Sequence, residues 1–152
     1  MKILRASYGV NLVKDLPTYD LSRLGGFMTE REYEKMLASN WIDKVLEVNF
    51  MDKDIILEQV RCAEMSISLD CSLAFLNFEI RCNVPLYPHK ECVPIDMVAY
   101  QKDAAPIVFL LVVKNGLLHE IEVSIADLSK IDIYGIELSK VEYQVNFPTL
   151  EN

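Results

Sequence analysis

A chain of 152 residues that is 51% apolar and 25% charged has the make-up of an ordinary globular domain, large enough to bury a core without disulfide or metal staples. Its formal net charge of -8 arises from 23 acids against 15 scattered bases, which argues against a phosphate-binding surface, since nucleic-acid affinity rests on clustered Lys and Arg. An acidic protein of this kind is kept soluble by its charge and, where it meets a basic partner, is steered toward it.

The opening stretch MKILRASYGVNLVKDLPTYD is interrupted by Lys2, Arg5, Lys14 and Asp15. It therefore lacks the apolar region of a secretory signal. No window approaches the roughly 18 apolar residues of a membrane-spanning helix, and the expectation is a cytoplasmic protein. Cys62, Cys71, Cys82 and Cys92 are nine to eleven residues apart. That spacing is neither a zinc pattern nor a dense disulfide framework, and it reads as reduced, mostly buried thiols.

Residues 1–26 read as irregular, with at most one short strand, around Ile3 to Ser7, an interruption at Pro17 and a joint at Gly25-Gly26. Thr29-Glu30-Arg31-Glu32 fits a capping box, with Met28 and Tyr33 placed as its hydrophobic staple. Tyr33, Met36 and Leu37 follow at helical spacing and predict a helix from about Glu30 to Asn40. Trp41, Ile42, Val45 and Leu46 either continue that helix or form a second segment after a kink at Ser39-Asn40. Asp52 or Asp54 then caps a short helix whose Ile56, Leu57 and Val60 line one face.

After Ala63 the period becomes two. Met65, Ile67 and Leu69 alternate with Ser66 and Ser68, Asp70-Cys71 makes a tight turn, and Leu76, Phe78 and Ile80 share a face opposite Asn77 and Glu79. NVPLYPHKECVP, with three prolines, is a long loop. A strand is expected from Ile95 to Gln101, a turn over Lys102 to Pro106, and a last strand over Val141 to Phe147.

Between these lies VFLLVVKNGLLHEIEVSIAD, Val108 to Asp127. Ile107 to Val113 is apolar throughout, as in a central strand covered on both faces, and Asn115-Gly116 is a preferred type I′ hairpin pair. With those two as the loop, Val112 opposes His119, Leu111 opposes Glu120 and Phe109 opposes Glu122. One face then carries Val108, Leu110, Val112, His119, Ile121 and Val123, the expected core. The other carries Phe109 and Leu111 beside Glu120 and Glu122, as the margin of a helix-covered layer or as an exposed patch that meets a partner.

Catalytic and metal motifs are weak. His119 on the apolar side reads as a packed residue with nothing nearby to complete a dyad. His89 and Cys92 are too few for a tetrahedral metal site. Asp52 and Asp54 lack the glycine and distal glutamate of a calcium loop. There is no GxSxG, Walker, GxGxxG or HExxH pattern, and no cofactor is expected.

LEQVRCAEMSISLDCSLAFLNFEI, VPIDMVAY and PIVFLLVVKNGLLHEIEV, in that order and with a following Asp, resemble a group of small bacterial proteins that look like immunity proteins of contact-dependent growth inhibition and other polymorphic toxin systems. The most specific piece is Asn115-Gly116-Leu117-Leu118-His119-Glu120-Ile121-Glu122-Val123. The turn at Asp70-Cys71-Ser72 departs from the Gly-rich form of the group. The resemblance implies inhibition of a cognate toxin domain, often a nuclease, by direct binding and without catalysis.

The expectation is thus a single α+β domain, N-terminal helices packed on an antiparallel sheet of about five or six strands. Its function would be to bind a basic toxin domain through Asp96, Tyr100, Asp103, Glu120 and Glu122, with no nucleic acid or membrane as partner. Two rivals are a small enzyme built on His119 and nearby carboxylates, and a structural protein or homodimer made by pairing an edge strand.

Overall fold

The computed structural model describes residues 2–4 and 29–149, and these form an α+β fold. The strand β1 (Lys2–Leu4) comes first, then the helices α1 (Glu30–Val45) and α2 (Lys53–Arg61). Six further strands follow: β2 (Ala63–Asp70), β3 (Leu73–Ile80), β4 (Ile95–Ala99), β5 (Ile107–Lys114), β6 (Leu117–Ile125) and β7 (Val141–Val145). All pair antiparallel in one sheet of order β1-β2-β3-β6-β5-β4-β7. Met28, Pro17, Gly25-Gly26 and the distal part of the expected first strand lie outside the described residues.

The capping box forms as the sequence requires. Glu32 N–H donates to Thr29 Oγ1 at 3.2 Å and Thr29 N–H donates to Glu32 Oε2 at 2.8 Å. From that start α1 runs unbroken to Val45, because Tyr33, Leu37, Ala38, Trp41, Ile42 and Val45 keep one buried stripe at i, i+4 spacing. Ser39 and Asn40 face outward and cause no kink. Asp52 does occupy the cap position of α2, but in a left-handed conformation (φ 58°) with no side-chain bond to the helix.

On α2 Ile56 is fully buried while Leu57 and Val60 are half-buried, and the other fully buried residue is Gln59. Its amide donates to Pro85 O at 2.8 Å and Gly116 O at 3.0 Å, and its Oε1 accepts from Leu118 N–H at 2.6 Å. A lone polar side chain thus ties α2, the proline-rich loop and the β5-β6 turn together, with every hydrogen-bonding capacity that burial would otherwise penalise satisfied.

The core lies on one face of the sheet. Ile67, Leu76, Phe109, Leu111, Leu118, Ile121 and Val123 point toward Trp41, Ile42 and Ile56, and Trp41 meets Phe109 edge to face at 5.7 Å. The segments 83–94 and 131–138 close the same side: Tyr87 is buried with its hydroxyl donating to Met51 O at 2.8 Å, and Tyr134 stacks on Tyr33 at 4.9 Å. On the opposite face Val108, Leu110, Val112, Glu120 and Glu122 are half-buried and Ser68 is buried.

The Asn115-Gly116 turn is as expected, with φ 54° and 74°, the positive values of a type I′ hairpin. Gly116 is required on a second count: a Cβ there would meet Leu86 Cβ at 3.0 Å and Tyr87 O at 3.1 Å. The register beyond the turn differs from the expected one. Val113 opposes Leu118, but Val112 opposes Glu120, Leu111 opposes Ile121 and Phe109 opposes Val123, so His119 is the extra residue of a β-bulge.

That single insertion reverses which residues share a face. Val108, Leu110 and Val112 leave the core and Phe109 and Leu111 enter it. His119, expected among the core residues, is exposed on the bulge. The turn between β2 and β3 sits one residue later than expected, at Cys71-Ser72. Met65 is 40% exposed instead of buried, whereas Ser68 is buried, where it accepts from Asn77 Nδ2 at 2.9 Å. The thiols are free, with Cys62 and Cys92 half-buried but Cys71 and Cys82 exposed.

Candidate protein-binding face

The bulge at His119 builds the site by turning Glu120 and Glu122 away from the helices. Strand pairing then aligns them with residues from distant parts of the chain. Along one row Asp96 opposes Leu110, Leu110 opposes Glu122 and Glu122 opposes Phe75. In the next, Val112 opposes Glu120 and Glu120 opposes Asn77. A third runs Glu142, Val98, Val108, Ser124 and Leu73.

The face therefore has an aliphatic stripe, Val108, Leu110 and Val112 on β5, with Glu120 and Glu122 on β6 to one side. On the other side stand Asp96 on β4 and Glu142 on β7. Strands lie about 4.8 Å apart, so the two acid columns in the row of Leu110 are separated by about 10 Å. That spacing suits a partner surface on which basic side chains flank apolar ones.

The electrostatics of the face are one-sided. No Lys or Arg among the described residues forms an ion pair with Asp96, Glu120 or Glu122. Arg81, at the margin, is already engaged by Glu64 at 3.0 Å and Glu79 at 3.2 Å. Partial burial raises the Asp96 carboxyl above its ordinary value, and the bond from Asn146 Nδ2 at 3.4 Å partly offsets this. A half-buried carboxylate without a cation has already lost water that a docking base would displace.

Of the five residues expected to bind a partner, Asp96, Glu120 and Glu122 are brought together on this face. Tyr100 stands at its edge just past β4, 43% exposed, and donates to Glu142 Oε2 at 3.0 Å. The Glu142 contact raises the phenol above its ordinary value. Asp103 lies apart, in the β4-β5 turn at φ 56°. Sequence reasoning missed Glu142 and the β5 stripe. Glu142 was legible as the outward member of VEYQV, but the stripe was not, since the bulge reassigns it.

His119 Nε2 lies 3.7 Å from Glu120 Oε2, with the imidazole 47% exposed. A groove of about 630 Å³ opens elsewhere, between α1 and the β2-β3 pair, lined by Arg31, Glu34, Lys35, Met65 and Arg81 among others. Glu34 closes part of it by accepting from Ile67 N–H at 2.8 Å, and burial raises its carboxyl above the ordinary value. Among the described residues no group of three His, Cys, Asp or Glu side chains is placed to hold a metal, and no helix is long and apolar enough to cross a membrane. No family model, curated protein or solved structure matches the chain.

Proposed function

We propose that the protein is an immunity-type binding protein that neutralises a basic toxin domain, such as a nuclease, in the cytoplasm by covering it with the acid-flanked face of its sheet. The observation that carries this reading is the joint placement of Asp96, Glu120, Glu122 and Glu142 around Val108, Leu110 and Val112 on one face of the sheet. Apolar contact would supply the binding energy and the carboxylates the encounter rate and register. The hairpin resemblance to immunity proteins and the net charge of -8 point the same way.

The test is growth protection. A candidate basic toxin domain, sought among the products of neighbouring genes, is co-expressed with wild type, and with a variant combining Asp96→Lys, Glu122→Lys and the milder Glu120→Gln. Protection by wild type and its loss in the variant, with circular dichroism unchanged, is the expected result. Protection that survives the substitutions refutes the assignment to this face.

A further inference from the structure

β7 ends the sheet, and the parity of its ladder fixes which backbone groups remain outside. Tyr100 N–H donates to Lys140 O and Asn146 N–H to Pro94 O, both at 2.9 Å. These pairs share the β4-β7 register, so Glu142 and Gln144 turn their N–H and C=O groups toward β4. Alternation leaves those of Val141, Tyr143 and Val145 pointing away from the sheet, where no described residue meets them. An edge without proline or bulge, carrying free donors and acceptors, is a template for another strand.

We infer that β7 pairs with β7 of a second copy, antiparallel about a two-fold axis at Tyr143. The sequence of the strand is self-complementary in that register. Val141 opposes the partner's Val145, Tyr143 opposes the partner's Tyr143, and every outward N–H finds an outward C=O. On the acidic face Glu142 stands opposite the partner's Gln144, and by symmetry the pair occurs twice.

Both side chains retain the capacity this pairing needs. Gln144 Nε2 donates to Asn146 Oδ1 at 3.2 Å and keeps a second N–H, while Glu142 receives Tyr100 on one oxygen and keeps the other. A register centred on Glu142 would instead set two carboxylates against each other. On the opposite side the half-buried Val141, Tyr143 and Val145 gain cover. The Tyr143 ring is already held in place by its hydroxyl, which donates to Lys44 O at 2.6 Å.

The pairing shares only Glu142 with the proposed toxin-binding face, and salt distinguishes the two. Two copies of charge -8 repel, so self-association strengthens as salt is added, whereas capture of a basic partner weakens.

The experiment is sedimentation velocity of the full chain, from about 10 µM to about 1 mM. Wild type is expected to dimerise. Gln144→Lys, which sets an ammonium opposite Glu142 on both sides of the axis, tightens the dimer by about two- to thirtyfold. Gln144→Glu weakens it by a similar factor. Val145→Pro removes an outward N–H while leaving the ladder to β4 intact, and it abolishes the dimer. Should that variant fail to fold, the opposed response at Gln144 carries the test. A wild type and Gln144→Lys that both stay monomeric at the highest concentration overturn the inference. So does a dimer indifferent to the Gln144 variants.

Discussion

Replacing Gln59 with Leu tests whether one buried amide holds the β5-β6 hairpin in its bulged register. The change conserves most of the volume and deletes three hydrogen bonds. Gly116 O keeps a donor, since Tyr87 N–H reaches it at 2.8 Å, so its loss is small. Leu118 N–H is left buried and unpaired, which costs about 1–3 kcal/mol, and the Pro85 carbonyl forfeits about 0.5–1.5 kcal/mol. The sum is about 1.5–4.5 kcal/mol. For a chain of this length that corresponds to a fall in Tm of about 3–18 °C.

Urea denaturation followed through the sole tryptophan, Trp41, which is buried against Phe109, reads the difference, with the exposed neighbour Glu58→Gln as control. A loss below about 1 kcal/mol would refute the reasoning. Gln59→Glu gives an independent check of sign. Its carboxylate accepts from Leu118 but faces two carbonyls, so burial raises its pKa in the folded state above the ordinary value of about 4.3. Stability of that variant is then greatest below the ordinary carboxylate pKa and is lost as pH rises through the raised value.

Three further outcomes follow from the same geometry. Gly116→Ala forces a Cβ onto a residue at φ 74° and against Leu86 and Tyr87, so it costs at least about 1–2 kcal/mol in chemical denaturation; a neutral effect would contradict the tight turn. Thr29→Ala removes the capping bond to Glu32 and lowers stability by about 1 kcal/mol, read by the same method. Asp96→Asn removes a carboxyl whose pKa is raised by burial. The wild type is therefore weakened relative to this variant as pH rises through that titration, and the two converge below the unfolded-state value, as thermal melts across pH would show.

Much of the fold was legible because local rules agree with the tertiary structure. Thr29 and Glu32 announce the start of α1, Ile95, Met97 and Ala99 announce β4, and Asn115-Gly116 the turn. Two features escaped for the same physical reason. Gln59 looks like a solvated helix residue in sequence, and its burial depends on carbonyls that come from Pro85 and Gly116, far along the chain. The bulge at His119 sits beside the Gln59–Leu118 bond and the buried Leu118, while the turn chemistry is compatible with either register. Hence Asp96, Glu120 and Glu122 were identified as acids of interest, while the apolar residues beside them were taken from the wrong side of β5.

The most direct test of the acid-flanked face as a binding surface is titration calorimetry against a basic toxin domain, sought among the products of neighbouring genes. Wild type and the variant combining Asp96→Lys, Glu120→Gln and Glu122→Lys are compared at about 50 mM and about 300 mM salt. The proposal predicts that wild-type affinity falls by about tenfold or more with salt, and that the variant loses about a hundredfold at low salt with a flattened salt dependence. Equal affinity of the two proteins, with the same response to salt, would contradict it.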